Sequence, residues 1–468
     1  MTDIAEFDVA HAGHRVTGHG MEAWIAEARE LLKLAGPLAF TQLAQMAIMT
    51  TDTIMLGHLS THALAAAALG NTVFFFTWLI GCGPVAAVSP MIAHILGASP
   101  GDRAGVRAVT RMGFWAVILL SVPLVGFLLG ARHVLILLGQ NPQLAADAGR
   151  FVGMLCWGLP FSLCYQVLRN FSTALSRPNA PLIVMVISIG FNALGDYALI
   201  FGHFGFPKLG LVGSGTASAL SFMFSFLAML VVIRLTPTLR KYRIFRRFHR
   251  PHLEKLAEVF RLGMPIGLTM MFEAMLFNAA TLIMGTFGTV AVAAHMVSLN
   301  VPSITFMVPL GIGLAATVRV GLAAGAGDRE AVRRAGYSAL MMGAAFMTCT
   351  GIVLWTFPEA IARLYFADPV KDAAAITLAA LLLHVAAVFQ VVDGVQVVGA
   401  MSLRGLKDAR MPMWIAGASY WLAGFPVCVG LAYGFHMKGL GIWIGLAFGL
   451  AVAAVSMTWR FRYLSRDK

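Results

Sequence analysis

Apolar stretches long enough to cross a lipid bilayer recur along almost the whole chain. A transmembrane helix needs about 20 apolar residues, because the hydrocarbon core of a bilayer is about 30 Å thick. Such stretches alternate with short polar segments from residue 36 to residue 459. Of the 468 residues, 59% are hydrophobic and only 12% are charged, whereas soluble domains carry about 25% charged residues. The sequence therefore predicts a membrane protein whose surface is largely solvated by lipid.

The apolar runs predict an all-α integral membrane fold with twelve transmembrane helices. Helices satisfy every backbone hydrogen bond within one segment, and these even runs lack the alternation that is typical of barrel strands. The first six predicted spans are 36–57, 63–97, 107–131, 147–176, 181–203 and 211–235. The second six are 262–286, 290–325, 335–357, 373–403, 413–434 and 439–459.

The net charge of +13 reflects membrane topology rather than nucleic-acid binding. With both termini in the cytoplasm, all but six of the 34 Lys and Arg fall in cytoplasmic loops, helix ends or termini, which is the positive-inside pattern. The six exceptions are Arg132, Arg150, Lys208, Arg363, Lys371 and Lys438. We therefore expect a multi-pass protein of the inner (plasma) membrane with cytoplasmic termini and no nucleic-acid partner.

Residues 1–33 carry no cleavage-site signal and end in an apolar stripe, which predicts a short helix lying on the inner membrane surface. The stripe consists of Trp24, Ile25, Ala28, Leu31 and Leu32, beside Glu27, Glu30 and Lys33. The histidines before it, His11, His14 and His19, match no common metal-site spacing and are interpreted as part of a flexible tail. The five cysteines are irregularly spaced in apolar runs and predict neither disulfides nor a metal site.

The chain contains two copies of one sequence pattern, offset by 228 residues. Leu34-Ala-Gly-Pro37 opens the first span and Leu262-Gly-Met-Pro265 opens the seventh. Further matched segments are Thr53–Gly57 with Thr281–Gly285, Ala65-Ala66 with Ala293-Ala294, Gly97-Ala98 with Gly325-Ala326 and, after a two-residue gap, Asp102-Arg103 with Asp328-Arg329. Six helices is an even number, so both copies enter the membrane from the same side and form a parallel repeat.

The repeat predicts an N-terminal tail and interfacial helix at 1–33, an N-terminal six-helix bundle at 34–235, a basic cytoplasmic linker at 236–257, and a C-terminal six-helix bundle with its tail at 258–468. We expect the two bundles to face one another around a central cleft and to rock about it, as carriers often do. We expect the linker to anchor the topology by touching the anionic headgroups of membrane lipid.

Four carboxylates lie inside the predicted spans: Asp52, Asp196, Glu273 and Asp393. A charge at the centre of a membrane helix costs about 2.5–3.5 kcal/mol, so it is retained for pairing or for function. A structural salt bridge is the alternative, but we expect no Lys or Arg at comparable depth to balance these groups. We therefore interpret the four carboxylates as sites that bind protons or cations.

Helical spacing places polar neighbours beside these carboxylates. Asn192 and Asp196 are four residues apart and share one face of the fifth span. With Asp52 they would form an all-oxygen site suited to a hard cation such as Na⁺. The second predicted set, in the C-terminal half, consists of Glu273, Gln390 and Asp393, of which the last two share a face of the tenth span.

Several motifs together resemble the multidrug and toxic compound extrusion (MATE) family, specifically its bacterial NorM-like branch. They are Asp52-Thr-Ile-Met-Leu-Gly57, Gly313-Leu-Ala-Ala-Thr-Val-Arg-Val-Gly321, Asp393-Gly-Val-Gln396, and Leu403-Arg-Gly-Leu-Lys-Asp408 with Pro412. The resemblance covers nearly the whole chain after residue 30. It implies twelve helices in two bundles and export of organic cations, driven by the inward flow of Na⁺ or H⁺.

The resemblance also implies roles for individual residues. Its N-terminal cation site falls on Asp52, Asn192, Asp196 and Ser218, and its C-terminal acidic positions fall on Glu273 and Asp393. Phe389 stands where close relatives carry Tyr, and Met296 replaces a commonly seen Gln. The lost phenol oxygen argues against Na⁺ coordination in the C-terminal bundle and leaves H⁺ or cationic drug as its ligand.

We therefore expect a secondary antiporter that exports cationic amphipathic drugs and dyes, acts as a monomer, and needs no cofactor beyond its coupling ion, Na⁺ or H⁺. A lipid-linked oligosaccharide flippase shares the broad architecture and is the alternative. A membrane-embedded enzyme or a channel is a third class. An enzyme would need a nucleophile–base set or a metal cluster, and the spans contain no HExxH or GxSxG motif.

Overall fold

The computed structural model of the chain describes residues 20–246, 248–249, 251–366 and 370–466. Over these residues the fold is entirely helical, which confirms the predicted fold class. The first nine helices are α1 (Met21–Leu59), α2 (Thr61–Ala86), α3 (Val88–Ala98), α4 (Arg103–Leu129), α5 (Ala131–Leu137), α6 (Pro142–Leu155), α7 (Gly158–Ala174), α8 (Asn179–Phe201) and α9 (Leu211–Leu235).

Nine further α-helices complete the described chain. They are α10 (Pro237–Arg240), α11 (Leu253–Gly285), α12 (Thr289–Gly325), α13 (Arg329–Thr356), α14 (Pro358–Arg363), α15 (Ala373–Gly405), α16 (Arg410–Gly417), α17 (Phe425–Val429) and α18 (Lys438–Ser465). Two π-helical segments, Ala418–Gly424 and Gly430–Gly434, alternate with α16 and α17 to form one continuous span.

Within the described residues, eleven helices are long and apolar enough to cross a membrane, and twelve if α6 and α7 count as one span bent by 47°. This agrees with the twelve helices predicted from the apolar runs. The bend follows from Pro160, because its ring displaces the carbonyl of Cys156 four residues earlier and removes one helical hydrogen bond.

The described chain divides into two compact units, here called unit 1 and unit 2. Unit 1 contains residues 41–267, and unit 2 contains residues 20–40 and 268–466. The first helix of each sequence repeat therefore contributes to both units. In α1, the residues up to Phe40 belong to unit 2 and the rest to unit 1, and in α11 the residues up to Gly267 belong to unit 1 and the rest to unit 2. The bundle limits at 34–235 and 258–468 stay predictions about the sequence repeat, because the compact units divide within these two helices.

Each of these two helices, α1 and α11, packs closely against a glycine of another helix. The two contacts are related by the 228-residue offset. In unit 2, a Cβ added to Gly311 would lie 2.6 Å from the backbone nitrogen of Ala39. In unit 1, a Cβ added to Gly83 would lie 2.9 Å from the Cα of Gly267. Since only glycine permits such an approach, the repeat conserves a packing contact as well as a sequence pattern.

The repeat also conserves a helix N-cap. The carboxylate of Asp102 accepts a hydrogen bond of 2.8 Å from the backbone N–H of Gly105 and begins α4. The carboxylate of Asp328 accepts one of 2.9 Å from Ala331 and begins α13. Both contacts satisfy amide donors that the first turn of a helix leaves without partners.

The apolar stripe near the N-terminus is not a separate helix, because α1 runs without interruption from Met21 to Leu59. The buried face of its first turns includes Glu27 and Leu31, whereas Ile25 and Leu32 are exposed. The helix continues through Pro37, which the sequence places at the start of the first span. His11, His14 and His19 lie outside the described residues.

Candidate cation sites

The first candidate site lies in unit 1, where α1, α8 and α9 bring four predicted residues together. Asn192 and Asp196 lie one turn apart on α8, and both are fully buried. Ser218 on α9 is buried, and its Oγ donates a hydrogen bond of 3.1 Å to Oδ2 of Asp52 on α1. Asn192 lies near the same carboxylate and influences it electrostatically. The N-terminal set that helical spacing and the family resemblance proposed is thus also a cluster in space.

Buried polar atoms of this cluster lack hydrogen-bond partners among the described residues. They are Oδ1 of Asp52, both carboxylate oxygens of Asp196, Oδ1 and Nδ2 of Asn192, and Oγ of Ser214. Burial of a polar atom without a partner is costly, and native proteins contain only a few such atoms per hundred residues. Their concentration at one point indicates a binding site whose ligand supplies the missing interactions.

The carboxylates of Asp52 and Asp196 lie close enough to share a proton. Two neighbouring carboxylates repel each other when both are ionised, and either a proton or a metal cation relieves the repulsion. All but one of the unpartnered atoms are oxygens, which suit hard cations such as Na⁺. This donor set therefore fits both ions that the sequence proposed.

Ser214 belongs to this site and was not among the predicted residues. It lies one turn before Ser218 on α9, and its hydroxyl lies near the carboxylate of Asp196. A stripe of buried serines continues along the same helix at Ser221 and Ser225. The spacing of these serines by three or four residues is a signal that could have identified Ser214 from the sequence.

The second candidate site lies in unit 2 and brings Glu273 on α11 near Asp393 on α15. Asp393 is buried, its Oδ1 has no partner among the described residues, and it interacts electrostatically with Glu273. Gln390 is fully buried one turn before Asp393 on the same helix. Its amide donates to the carbonyl of Met347 at 3.1 Å and to the hydroxyl of Thr350 at 3.0 Å. Since its Oε1 also accepts from Thr305 on α12 at 3.1 Å, Gln390 connects α12, α13 and α15, and its predicted role as a site residue stays a prediction.

Two residues absent from the sequence prediction complete the second site. Arg404 is buried near the end of α15 and interacts electrostatically with Glu273. Arg404 thus lies within electrostatic range of Glu273 but forms no ion pair with it among the described residues, so the expectation that no Lys or Arg balances these carboxylates stays a prediction. Tyr420 is fully buried, has no hydrogen-bond partner for its hydroxyl within the described residues, and interacts with Glu273 and Asp393.

Tyr420 supplies a phenol to the unit 2 site, for which the sequence predicted the loss of a phenol. Phe389, the residue that stands in place of Tyr, packs edge-on against Phe277 and Trp443, with ring centroids 6.0 and 5.5 Å apart. Tyr420 comes instead from the π-helical segment Ala418–Gly424. A π-helical turn adds a residue to the turn and shifts every following side chain around the axis, and such turns are frequent at functional sites.

His295, an isolated histidine inside a predicted span, is a hydrogen-bonded packing residue. Its Nδ1 accepts from the indole of Trp443 at 3.1 Å, so its Nε2 carries the proton and donates to Thr281 at 3.0 Å. Among the described residues, no three His, Cys, Asp or Glu side chains are arranged to hold a metal ion.

Comparison with known proteins identifies relatives over almost the full chain. The family model described as MatE matches residues 37–198 and again 265–429, one match in each sequence repeat. A protein from Brucella suis named "Probable multidrug resistance protein NorM" is 42% identical over 441 residues, covering 94% of this chain and 93% of the relative. A protein of the same name from Mesorhizobium japonicum is 42% identical over 449 residues and 95% of each chain.

Solved structures of similar fold have much lower sequence identity. The crystal structure of the eukaryotic MATE transporter AtDTX14 superimposes with a TM-score of 0.83 at 21% identity, covering 95% of this chain and 98% of the other. A MOP superfamily transporter from Pyrococcus furiosus superimposes with a TM-score of 0.82 at 21% identity, covering 94% and 96%. At these identities the similarity establishes the fold.

Proposed function

Since one family model matches both repeats, this protein belongs to the MatE family, and we propose that it is a secondary active multidrug efflux transporter. The NorM-like MATE resemblance of the sequence motifs is thereby confirmed. The relatives are named as multidrug resistance proteins, which favours drug export over oligosaccharide flipping or an enzymatic activity.

We propose that the exported compounds are cationic and amphipathic and that they leave in exchange for Na⁺ or H⁺. The observation that carries this proposal is the cluster of unpartnered buried oxygens at Asp52, Asn192 and Asp196. A cation that binds there neutralises the carboxylates. Antiport then requires that the bound cation weakens drug binding and that drug weakens cation binding to the same extent.

The second site extends the proposal to unit 2. Glu273 and Asp393 can bind a proton or a cationic drug, while Arg404 provides a positive charge within electrostatic range of Glu273. An all-oxygen Na⁺ site would need to exclude such a guanidinium group, since like charges repel. The proposed role of the unit 2 carboxylates is therefore proton or drug binding, and the proposed Na⁺ site is the one in unit 1.

We further propose that the protein functions as a monomer in the inner membrane with both termini in the cytoplasm. The distribution of Lys and Arg supports this orientation. Labelling of single cysteines introduced near residue 245 and near residue 140 of a cysteine-free variant, with a membrane-impermeant reagent on intact cells, tests it. Only the second position should react, and reaction at the first would reverse the orientation.

Ion-driven dye transport by the purified protein in liposomes tests the proposed function. A Na⁺ gradient and a pH gradient are imposed separately, and movement of ethidium is followed by fluorescence. We expect at least one gradient to drive ethidium against its own concentration gradient. Ethidium transport that ignores both gradients would contradict antiport, and scrambling of lipid-linked oligosaccharide without ethidium transport would support a flippase.

A further inference from the structure

The basic linker after α9 forms one wall of a cavity of about 470 Å³ in unit 1. Four arginines line it: Arg234 at the end of α9, and Arg240, Arg243 and Arg246 in the linker. The rest of the wall is apolar and consists of Leu230, Ile233, Leu239, Ile244 and Phe245. The cavity therefore joins a cluster of positive charge to an apolar surface.

The linker is held in place by one stripe of α4. Arg107, Arg111 and Trp115 lie four residues apart, so their side chains project from the same face of that helix. Each donates a hydrogen bond to a backbone carbonyl of the linker. The acceptors are the carbonyls of Tyr242, Arg246 and Phe248, at 3.0, 3.2 and 3.1 Å. The linker is thus fixed through its backbone, which leaves its own arginine side chains available for other contacts.

The backbone of Arg243 shows that the turn carrying these arginines is tightly formed. Its φ of +47° lies in the left-handed region, which a non-glycine residue rarely adopts. Two backbone hydrogen bonds enclose it, one donated by Arg243 to Arg240 at 3.1 Å and one donated by Arg246 to Arg243 at 2.9 Å. The arginines therefore extend from an ordered turn.

No acidic group balances this cluster in the part of the chain that the structure describes. The side chains of Arg234, Arg240, Arg243 and Arg246 make no hydrogen bond or ion pair with a described residue, and all four are exposed. Four guanidinium groups around one cavity repel each other unless an anion lies between them. Guanidinium groups are well suited to phosphate because they can donate two parallel hydrogen bonds.

The cavity also lies at the end of a membrane span. Leu230 and Ile233 belong to the last two turns of α9, a candidate span that ends at Leu235. A free anion would leave this apolar wall without a partner. An anionic phospholipid would use both parts of the cavity, with its phosphate among the arginines and an acyl chain along the end of α9.

We propose that this cavity is a binding site for an anionic phospholipid. The site is independent of the carboxylate clusters and of the transported drug. Lipid bound there would stabilise the linker, because it would neutralise the repulsion among the arginines of the turn.

Thermal unfolding of the full-length protein in detergent, titrated with long-chain phosphatidylglycerol, tests the proposal. We expect saturable stabilisation by phosphatidylglycerol and none by phosphatidylcholine. The variant Arg240→Gln/Arg243→Gln/Arg246→Gln should need at least about tenfold more phosphatidylglycerol for the same shift, since each basic residue near anionic lipid contributes about a factor of five. Unchanged lipid dependence in this variant would overturn the proposal.

The matched control variant removes three positive charges elsewhere in the same unit, at the exposed residues Arg132, Arg150 and Lys208, each changed to Gln. It should retain the wild-type stabilisation by phosphatidylglycerol. An equal loss of this stabilisation in both variants would show that net charge, and not the cavity, causes the response and would overturn the proposal. Glycerol phosphate distinguishes a lipid from a free anion. Equal stabilisation by glycerol phosphate at the same concentrations would overturn the lipid assignment.

A second variant, Leu230→Gln, keeps all four arginines and makes the apolar wall polar. We expect it to lower the affinity for long-chain phosphatidylglycerol severalfold but not the affinity for a dihexanoyl analogue. Native mass spectrometry, which counts bound lipids directly, gives the same comparison if a variant unfolds at a lower temperature. Equal lipid counts for wild type and for both cavity variants would contradict the site.

Discussion

The carboxylate of Glu27 accepts two hydrogen bonds from the guanidinium of Arg319, from Nε at 2.8 Å and from Nη2 at 2.6 Å. Both side chains are largely buried, with 3% and 12% of their surfaces exposed. The pair connects α1 to α12 within unit 2. Leu31, Leu34 and Leu38 continue the same face of α1 into an apolar cluster with Ile312 of α12. The ion pair thus fixes the position at which the first part of α1 packs.

Removal of the Glu27 charge should destabilise the protein markedly. Glu27→Gln leaves the buried Arg319 guanidinium without its counter-ion, which costs about 3–5 kcal/mol in buried pairs. Glu30→Gln is the matched control, because Glu30 pairs with Lys33 at 2.6 Å on an exposed surface, where such pairs contribute about 0.2–1 kcal/mol. Thermal unfolding in detergent measures both. Equal unfolding temperatures for the two variants would show that the buried pair contributes little.

A double variant separates the interaction energy of the pair from the effects of the two single substitutions. In Glu27→Gln/Arg319→Met no charge remains buried, so we expect less destabilisation than the sum of the two single variants. The difference is a coupling energy of the kind measured by double-mutant cycles. Strict additivity would contradict a direct interaction.

Substitutions in the unit 1 site should weaken ion coupling. Asp52→Asn and Asp196→Asn each remove a charged ligand, and the loss of a charged hydrogen-bonding or ligand group costs about 1.5–3 kcal/mol, or about 10- to 100-fold in cation affinity. The concentration of Na⁺ or H⁺ that gives half-maximal dye transport should rise accordingly. Asp372→Asn serves as the control, because Asp372 lies at the start of α15 outside both sites. Wild-type ion dependence in both site variants would assign the two carboxylates a structural role.

The hydroxyl groups of the same site should have a smaller effect. Ser218→Ala removes the 3.1 Å hydrogen bond to Asp52, and Ser214→Ala removes an unpartnered oxygen. A neutral hydrogen bond contributes about 0.5–1.5 kcal/mol, so we expect a two- to tenfold change in ion affinity with the maximal transport rate retained. Ser303→Ala is the control, since the Ser303 hydroxyl only bonds the carbonyl of Leu299 in its own helix. Loss of expression in the serine variants would instead indicate a packing role.

Tyr420→Phe tests whether the unit 2 site uses a phenol. The substitution removes one hydroxyl, keeps the buried ring, and leaves no new polar atom unsatisfied, so we expect a stability equal to or above that of the wild type. The apparent affinity for the drug or the proton should change severalfold, because the hydroxyl lies within electrostatic range of Glu273 and Asp393. Dye transport as a function of pH measures it. A profile identical to wild type would remove Tyr420 from the site.

The close contact between Gly311 and α1 should not tolerate a methyl group on residue 311. A Cβ on Gly311 would lie 2.6–2.8 Å from atoms of Ala39, including its backbone, so Gly311→Ala forces a shift that costs about 1–3 kcal/mol. Gly126→Ala in α4 meets no atom within 4 Å and should stabilise by up to about 1 kcal/mol, because alanine favours the helix. Unfolding temperatures that shift in the same direction would contradict the contact.

Local features determined much of this protein from sequence alone. The lengths of the apolar runs determined how many transmembrane helices to expect, because the thickness of the bilayer fixes the helix length that is needed. The 228-residue repeat predicted matched elements, and the N-caps at Asp102 and Asp328 and the glycine contacts at Gly83 and Gly311 occupy matched positions. Asn192 and Asp196 were grouped correctly because residues four apart always share a helix face.

Only the tertiary structure decided which side chains meet across helices. Glu27 and Arg319 are 292 residues apart, and no periodicity in either helix identifies the other. Helix packing and a π-helical turn bring Arg404 and Tyr420 within electrostatic range of Glu273, which helix spacing of 3.6 residues does not anticipate. Sequence determines the face on which a side chain lies, whereas the partner of that face depends on how helices pack over long sequence separations.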